Sequence, residues 1–208
     1  MAPWTPVALP PGLVASRRTR IVGRRYELAV METVWESVEQ GDGQVLLLGG
    51  EPGAGKTRLA AEVACALHEQ GAAVLVGTAT RDAGVPYQPF VEMLDHLFRS
   101  SAPGTLDELL DGSATELRRL SRHVDRHLPD AVERGEPAGD GRRDLFEAVA
   151  GLLRRMARDR PLVVVLDDLH WGQLPTVALL EHLVHSCVDS RTLVLATFRT
   201  TRRTGRRS

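Results

Sequence analysis

The feature that most constrains this chain is the eight-residue segment GEPGAGKT at positions 50–57. An apolar run precedes it at residues 45–48, and apolar residues with helical spacing follow it at Leu59, Ala60, Val63, Ala64 and Leu67. The segment fits G-x-x-x-x-G-K-[ST] at each fixed position. A strand, a glycine-rich turn and a helix N-terminus together form a cradle for an anion, because glycines let backbone N–H groups close around it. The pattern and its context predict a phosphate-binding loop, against the alternative of a chance match on a glycine-rich turn.

The loop also predicts which groups a nucleoside triphosphate would meet. Lys56 is expected to reach the β- and γ-phosphates, and the Thr57 hydroxyl is expected to help hold Mg²⁺, so the predicted cofactors are ATP and Mg²⁺. The residues assigned to nucleotide binding here are Gly50, Glu51, Pro52, Gly53, Ala54, Gly55, Lys56, Thr57 and Arg58.

Length and composition predict one folded domain in a reducing compartment. The 208 residues are 43% hydrophobic and 25% charged, which is sufficient for a core. With 26 basic and 27 acidic residues, overall charge does not point to nucleic acid or a membrane surface. The two cysteines are too few for a disulfide framework, and no apolar run approaches the roughly 20 residues of a membrane helix. We therefore expect a cytoplasmic protein without a membrane contact.

Strand and helix patterns alternate along the chain. Apolar runs predict strands at 44–48, 73–77, 162–166 and 193–198, and helical spacing predicts helices at 26–41, 56–70, 89–98, 144–159 and 176–186. Shorter helical pieces are expected at 106–110 and 114–127, and an exposed loop at 129–141. This alternation indicates an α/β fold, a P-loop NTPase three-layer sandwich with a parallel sheet. We expect a disordered leader at 1–20, the core at 21–199 and a basic disordered tail at 200–208.

Two carboxylates end the third predicted strand, at Asp167 and Asp168. In a phosphate-loop protein one acid holds Mg²⁺ and the next polarises the attacking water, so we assign Asp167 to the metal and Asp168 to the water. The alternative is that these acids cap the next helix. Arg199 ends the fourth strand on the edge that faces a ligand crevice, where it could sense the γ-phosphate. The alternative interpretation of Arg199 is that it is the first residue of the basic tail. The predicted catalytic residues are Lys56, Asp167, Asp168 and Arg199, and the predicted metal ligands are Thr57 and Asp167.

Five ordered segments resemble one family. They are IVGRRYEL at 21–28, the loop with its continuation at 50–60, VPYQPFVE at 85–92, LDDLHW at 166–171 and LATFR at 195–199. Together they look like the AAA-type ATPase domain of large bacterial signal-transduction (STAND) ATPases, such as LuxR-family regulators with an N-terminal ATPase, a domain also similar to that of origin-recognition proteins.

The resemblance implies an ATP-driven switch in a transcriptional or signalling regulator. By this likeness, Val22, Gly23 and Arg24 would lie near the adenine and ribose, and Arg199 would be the γ-phosphate sensor. Such domains are opened by ATP and closed by ADP, so the implied partners are ATP and ADP, a second copy of the chain, or a regulator's downstream domains. No DNA-binding motif is predicted within this chain.

Two departures from the family pattern bear on this expectation. Gly172 and Gln173 follow Trp171, where family members often have Ala-Asp. The chain also ends within ten residues of Arg199, whereas the family continues into a fifth strand and a helical lid. In the implied strand order, 5-1-4-3-2, the fifth strand would cover the phosphate-loop strand. We therefore expect a core truncated before that strand and the lid, with an edge prone to aggregation.

Three functions remain open on the sequence alone. The first is a Mg²⁺-dependent ATPase module, the second a nucleotide-binding interaction module with little hydrolysis, and the third a P-loop kinase, which would need a phosphate-clamping lid that the sequence does not display. His182, His185 and Cys187 match no strong metal-site spacing, so a separate metal centre is not predicted.

Overall fold

A computed structural model of the chain describes residues 6–17, 21–81, 84–110, 112–127 and 141–200. Within them, four parallel strands form one sheet in the order β1-β4-β3-β2. The strands are β1 (Gln44–Gly50), β2 (Ala73–Thr78), β3 (Leu162–Asp167) and β4 (Thr192–Arg199). This is the α/β architecture predicted from the alternating pattern, with its four strands in the expected relative order.

Helices connect the strands and cover both faces of the sheet. They are α1 (Pro11–Ser16), α2 (Arg25–Glu39), α3 (Lys56–Glu69), α4 (Gln88–Ser100), α5 (Asp107–Leu110), α6 (Ala114–Leu117), α7 (Gly141–Asp159) and α8 (Leu174–Ser186). Short 3₁₀ turns lie at Arg122–His127 and Leu169–Trp171. The helical piece predicted at 114–127 is thus two short elements, and the predicted loop at 129–141 lies mostly outside the described residues.

Alternation of side chains along the strands divides the core into two clusters. Val163, Val165, Leu193 and Leu195 pack with α1, α2 and α3 on one face. Val164, Leu166, Val194 and Ala196 pack with α4 to α8 on the other. Every residue of β3 is buried, which explains its unbroken apolar run. The result is the three-layer arrangement expected of a parallel sheet.

The leader prediction is wrong where the structure describes this segment. Residues 11–16 form α1, whose Leu13 is buried against α3, and Val7 is buried in the other cluster. Arg17 adds ion pairs to Glu62, at 3.1 Å, and to Glu69. Prolines suggested disorder, but Pro11 occupies the first helical turn, where its missing N–H has no consequence. Residues 1–5 and 18–20 of the leader, and the tail at 201–208, lie outside the described part of the chain.

Strand β1 pairs with β4 alone among the described strands. None of its residues is fully buried, and Leu47 is 60% exposed. Within the described residues, this strand therefore presents an unpaired edge and an exposed leucine.

Candidate nucleotide-binding site

The glycine-rich loop joins the end of β1 to the start of α3, as the motif requires. Gly53 and Gly55 adopt φ angles of +79° and +80°. These left-handed conformations are accessible to glycine without a steric penalty. They turn the chain so that α3 begins at Lys56 with its N-terminus facing the cleft. The first N–H groups of a helix have no acceptor within it, so this end of α3 offers donors to an anion.

Lys56 extends over the loop that precedes it. Its Nζ donates to the carbonyl oxygens of Gly50 and Glu51, each at 3.0 Å. Both acceptors belong to the loop itself. The ammonium group is therefore held above the cradle, at the position from which a bound phosphate chain can be contacted.

A hydrogen-bond network joins the loop to the two acids. Thr57 Oγ1 donates to Asp167 Oδ1 at 3.0 Å, and Thr197 Oγ1 donates to the same oxygen. The hydroxyl of Thr197 also accepts a bond from the Asp168 backbone N–H at 2.9 Å. Asp167 is buried and Thr197 fully so. The network fixes the first carboxylate beside the Thr57 hydroxyl and fixes the backbone of the second.

Asp168 has an unusual backbone conformation, with φ of +55°. Left-handed geometry is uncommon for a residue other than glycine, although aspartate adopts it more often than most residues do. It places the Asp168 carboxylate, which is about one-third exposed, at the cleft instead of in the sheet. The side chain of His170 lies 3.5 Å away, between Nδ1 and Oδ1, and burial lowers the pKa of this imidazole.

The cleft has a volume of about 420 Å³. The residues that line it are Ser16, Pro52, Gly53, Gly55, Lys56, Thr57, Arg58, Asp168 and Arg199. Arg199 lies opposite Gly50 in the register of β4 and β1, which brings it to the loop. The structure thus gathers Lys56, Thr57, Asp167, Asp168 and Arg199 at the carboxyl edge of the sheet.

Other predicted residues lie apart from this group. Val22 is 85% exposed, and neither it nor Gly23 lines the cleft. Arg24 is pinned by Glu27 and donates to the Ala54 carbonyl, so it braces the outside of the loop. Arg58 lines the cleft, but its guanidinium contacts Glu62 at 3.1 Å and the Arg17 carbonyl at 3.3 Å. The bond to Arg17, at the C-terminus of α1, ties α1 to α3.

Two residues of the site were missed by the sequence reasoning. Thr197 was overlooked because a threonine within a strand carries no signal of its own. The motif LATFR places it two residues before Arg199, and this spacing was the one available clue. Ser16 was overlooked because it fell within the supposed leader.

The oxygen atoms at the site fit a magnesium ion bound together with a nucleotide. The Thr57 hydroxyl and the Asp167 carboxylate are hard donors, and they are close enough to hydrogen-bond to each other. Mg²⁺ is held in such sites by few protein ligands, with phosphates and waters completing its shell. No separate group of three or more His, Cys, Asp or Glu residues that could hold a metal occurs within the described ranges.

Comparison with known proteins establishes the family. The fold and the loop define a P-loop nucleotide-binding domain. A family model described as "AAA ATPase domain" matches residues 20–195. The chain therefore belongs to the AAA ATPase domain family, a family of nucleotide-binding ATPase modules.

The other comparisons are less informative. One similar solved structure is described as "Structure of C. elegans PCH-2", with a TM-score of 0.48 and 14% identity. The match covers 94% of this chain and 43% of that one, so this chain spans less than half of that protein's length. No curated protein matches. Among the described helices, none is long and apolar enough to cross a membrane.

Proposed function

We propose that this chain is an ATP-binding, Mg²⁺-dependent ATPase switch module. The observation that carries the proposal is the network in which Thr57 and Thr197 hold Asp167 while Asp168 faces the cleft. This arrangement supplies the parts that phosphoryl transfer to water requires: a phosphate cradle, a metal-binding oxygen pair and a second carboxylate to orient water.

Each residue has a specific task in this proposal. Backbone N–H groups of the loop and Lys56 bind the phosphates. Thr57 and Asp167 would hold the metal ion, which would neutralise the charge that develops on the phosphates. Asp168 accepts the proton of the attacking water, and Arg199 contacts the γ-phosphate. Such positioned charges lower the barrier because they require no rearrangement as the reaction proceeds.

The wider context of the module is also a proposal. The five sequence segments that resemble signal-transduction ATPases support a role in a bacterial transcriptional or signalling regulator. In that role, exchange of ATP for ADP would change how the module associates with a second copy or with the regulator's other domains.

One observation favours a second candidate, a nucleotide-binding module with little turnover. The described residues that line the cleft surround the phosphate position, whereas Val22, expected near the base, faces solvent. A nucleotide whose base is loosely held could bind without reaching the geometry for hydrolysis.

Measurements of ATP affinity and phosphate release on the same samples distinguish the ATPase from the nucleotide-binding module with little turnover. We expect Lys56→Ala to weaken ATP binding by about 10–100-fold, since it removes a charged hydrogen bond to phosphate. Asp168→Asn should leave ATP affinity nearly unchanged and lower phosphate release by about 10²–10⁴-fold, since it removes a general base. Chelation of Mg²⁺ should also abolish release.

A matched control is Asp189→Asn. Asp189 is exposed and precedes β4, so it lies toward the opposite edge of the sheet from the cleft. It should behave as wild type. ATP binding by the wild type without phosphate release would favour the second candidate, and unchanged ATP binding by Lys56→Ala would contradict both.

A further inference from the structure

We infer that Trp171 is a positioning residue for Arg199: its indole holds the Arg199 guanidinium at the phosphate cleft, in the place from which it distinguishes ATP from ADP. The inference rests on the proposed function and extends it to a residue with no assigned role.

Trp171 is fixed relative to the catalytic acids. It ends the 3₁₀ turn that begins directly after Asp168, and its backbone N–H donates to the Asp168 carbonyl at 3.0 Å. The His170 ring packs against the indole, with 4.6 Å between ring centroids. The indole therefore moves with the strand end that carries Asp168.

Two guanidinium groups lie at this one indole. The Cζ atom of Arg199 is 5.5 Å from the ring centroid, and that of Arg81 is 5.2 Å from it. Both distances fall within the range of cation–π attraction. The indole is therefore a contact shared by two positively charged groups.

Arg199 needs such support. It is the last residue of β4 and is exposed, and no ion pair or hydrogen bond of its side chain is found within the described residues. A long side chain in that state samples many rotamers, and fixing it has an entropic cost. Contact with the indole limits this freedom while the guanidinium still lines the cleft beside Lys56 and Asp168.

Arg81 provides a natural control within the same structure. It shares the indole with Arg199, yet it lines a separate cavity of about 220 Å³ and not the phosphate cleft. Removing Arg81 takes a cation from the ring without removing a group from the cleft. Comparing variants of the two arginines therefore distinguishes a structural effect on the 3₁₀ turn that carries Trp171 from an effect on the bound nucleotide.

The test compares dissociation constants for ATP and ADP, both with Mg²⁺, across matched variants. Loss of a cation–π contact of about 0.5–1 kcal/mol corresponds to a two- to fivefold change. We expect Trp171→Leu to reduce the preference for ATP over ADP by about this factor with ADP affinity unchanged. Trp171→Phe, which keeps an aromatic face, should retain most of the preference, and Arg81→Ala should not reduce it.

The double variant Trp171→Leu/Arg199→Ala measures how strongly the effects of the two residues on the preference for ATP depend on each other. If Trp171 acts through Arg199, its loss adds nothing once Arg199 is alanine. Additive losses, or an unchanged preference in Trp171→Leu, would overturn the inference while leaving ATP binding intact. A wild type that binds neither nucleotide would instead contradict the proposed function itself.

A spectroscopic measurement covers the case in which Trp171→Leu does not fold. The chain has three tryptophans, so replacing Trp4 and Trp35 by phenylalanine leaves Trp171 as the only indole emitter. We expect ATP to change the Trp171 emission more than ADP does, because the γ-phosphate attracts the Arg199 guanidinium that lies at the indole. Arg199→Ala in that background should remove the difference, and a difference that persists would overturn the inference.

Discussion

Thr197 connects the two acids of the cleft through a single hydroxyl group. That hydroxyl accepts from the Asp168 N–H and donates to Asp167, and the residue is fully buried. This buried hydroxyl both donates and accepts a hydrogen bond. It therefore fixes the positions of Asp167 and Asp168 as well as stabilising the fold, because either residue would lose a hydrogen-bond partner if it moved.

Thr197→Val tests this position, since valine keeps the shape and removes the oxygen. We expect the free energy of unfolding to fall by about 1–3 kcal/mol, because the Asp168 N–H is left without its acceptor. We also expect phosphate release to fall by about 10–100-fold, the usual cost of losing a residue that orients a metal ligand, which is the role proposed for Asp167. Urea unfolding and a phosphate-release assay measure the two effects.

The control is Thr192→Val, at the other end of the same strand. Thr192 is buried and its hydroxyl is bonded to Ser190, so its loss should lower stability without affecting turnover. Equal phosphate release by the two variants would contradict the role given to Thr197.

His170 gives the site a dependence on pH. Burial is the main cause that lowers the pKa of this imidazole from 6.5, and Asp168 opposes the shift. Because the folded protein binds the proton less readily than the unfolded chain, stability contributed by His170 is complete above about pH 6.5. It is lost as pH falls from there toward the lowered pKa.

We expect wild-type unfolding free energy to fall more steeply between pH 7 and pH 5 than that of His170→Phe, which cannot be protonated. The difference between their urea-unfolding curves at several pH values isolates this residue from the carboxylates that both proteins share. Parallel curves would show that His170 does not contribute.

At the level of secondary structure, β2 and α4 lie unusually close together. A Cβ on Gly77 would come within 1.9 Å of the Pro89 carbonyl oxygen, so only glycine allows this approach. Side chains of α4 then reach the end of the strand, where Gln88 accepts from the Thr80 N–H at 3.1 Å and Glu92 from the Thr78 N–H at 2.7 Å. Two side chains of α4 thereby accept hydrogen bonds from backbone N–H groups at and just beyond the end of β2, which pairs with β3 alone among the described strands.

Gly77→Ala should lower the free energy of unfolding by about 1–3 kcal/mol, the usual cost of overpacking, since the contact is with backbone and cannot be relieved by a rotamer change. Gly12→Ala offers the matched comparison, because an added methyl group there meets nothing within 4 Å and lies in α1. In thermal or urea unfolding, Gly77→Ala should be less stable than wild type, and Gly12→Ala should be slightly more stable because alanine favours a helix. An unchanged stability of Gly77→Ala would contradict the close approach of β2 and α4.

Considered as a whole molecule, the sheet was predictable because each strand has a simple signal. β3 contains an unbroken apolar run at 162–166 and β4 one at 193–196, which is what burial on both faces of a parallel sheet demands. The helix α1 was not predictable from composition, since its stability depends on contacts of Leu13 and Arg17 with α3 and not on its own six residues.

The site divides in a similar way. That Lys56 and the acid pair lie at one edge of the sheet was predictable, because the loop motif and the acids each follow a strand end. Thr197 and the left-handed backbone at Asp168 could not, because they depend on the register of β3 and β4. The Tyr87-Gln88 segment likewise has a role only in three dimensions. Tyr87, with φ of +61°, donates its N–H to the Thr176 hydroxyl and is the N-cap residue before α4, which begins at Gln88.

Lys56 is the only lysine in the chain. An amine-specific reagent such as an N-hydroxysuccinimide acetate can therefore modify just two groups, the Lys56 ammonium and the α-amino group. The α-amino group serves as an internal reference within every sample, and peptide mass spectrometry reads both acylation rates.

The rate of Lys56 acylation with and without ATP and Mg²⁺ tests the central claim most directly. With ATP at 100 times its dissociation constant, about 1% of the sites stay empty, so acylation of Lys56 should slow by about a hundredfold. The reference amine should react at an unchanged rate. An equal rate of Lys56 acylation in saturating ATP would contradict the assignment of this cleft as the nucleotide site.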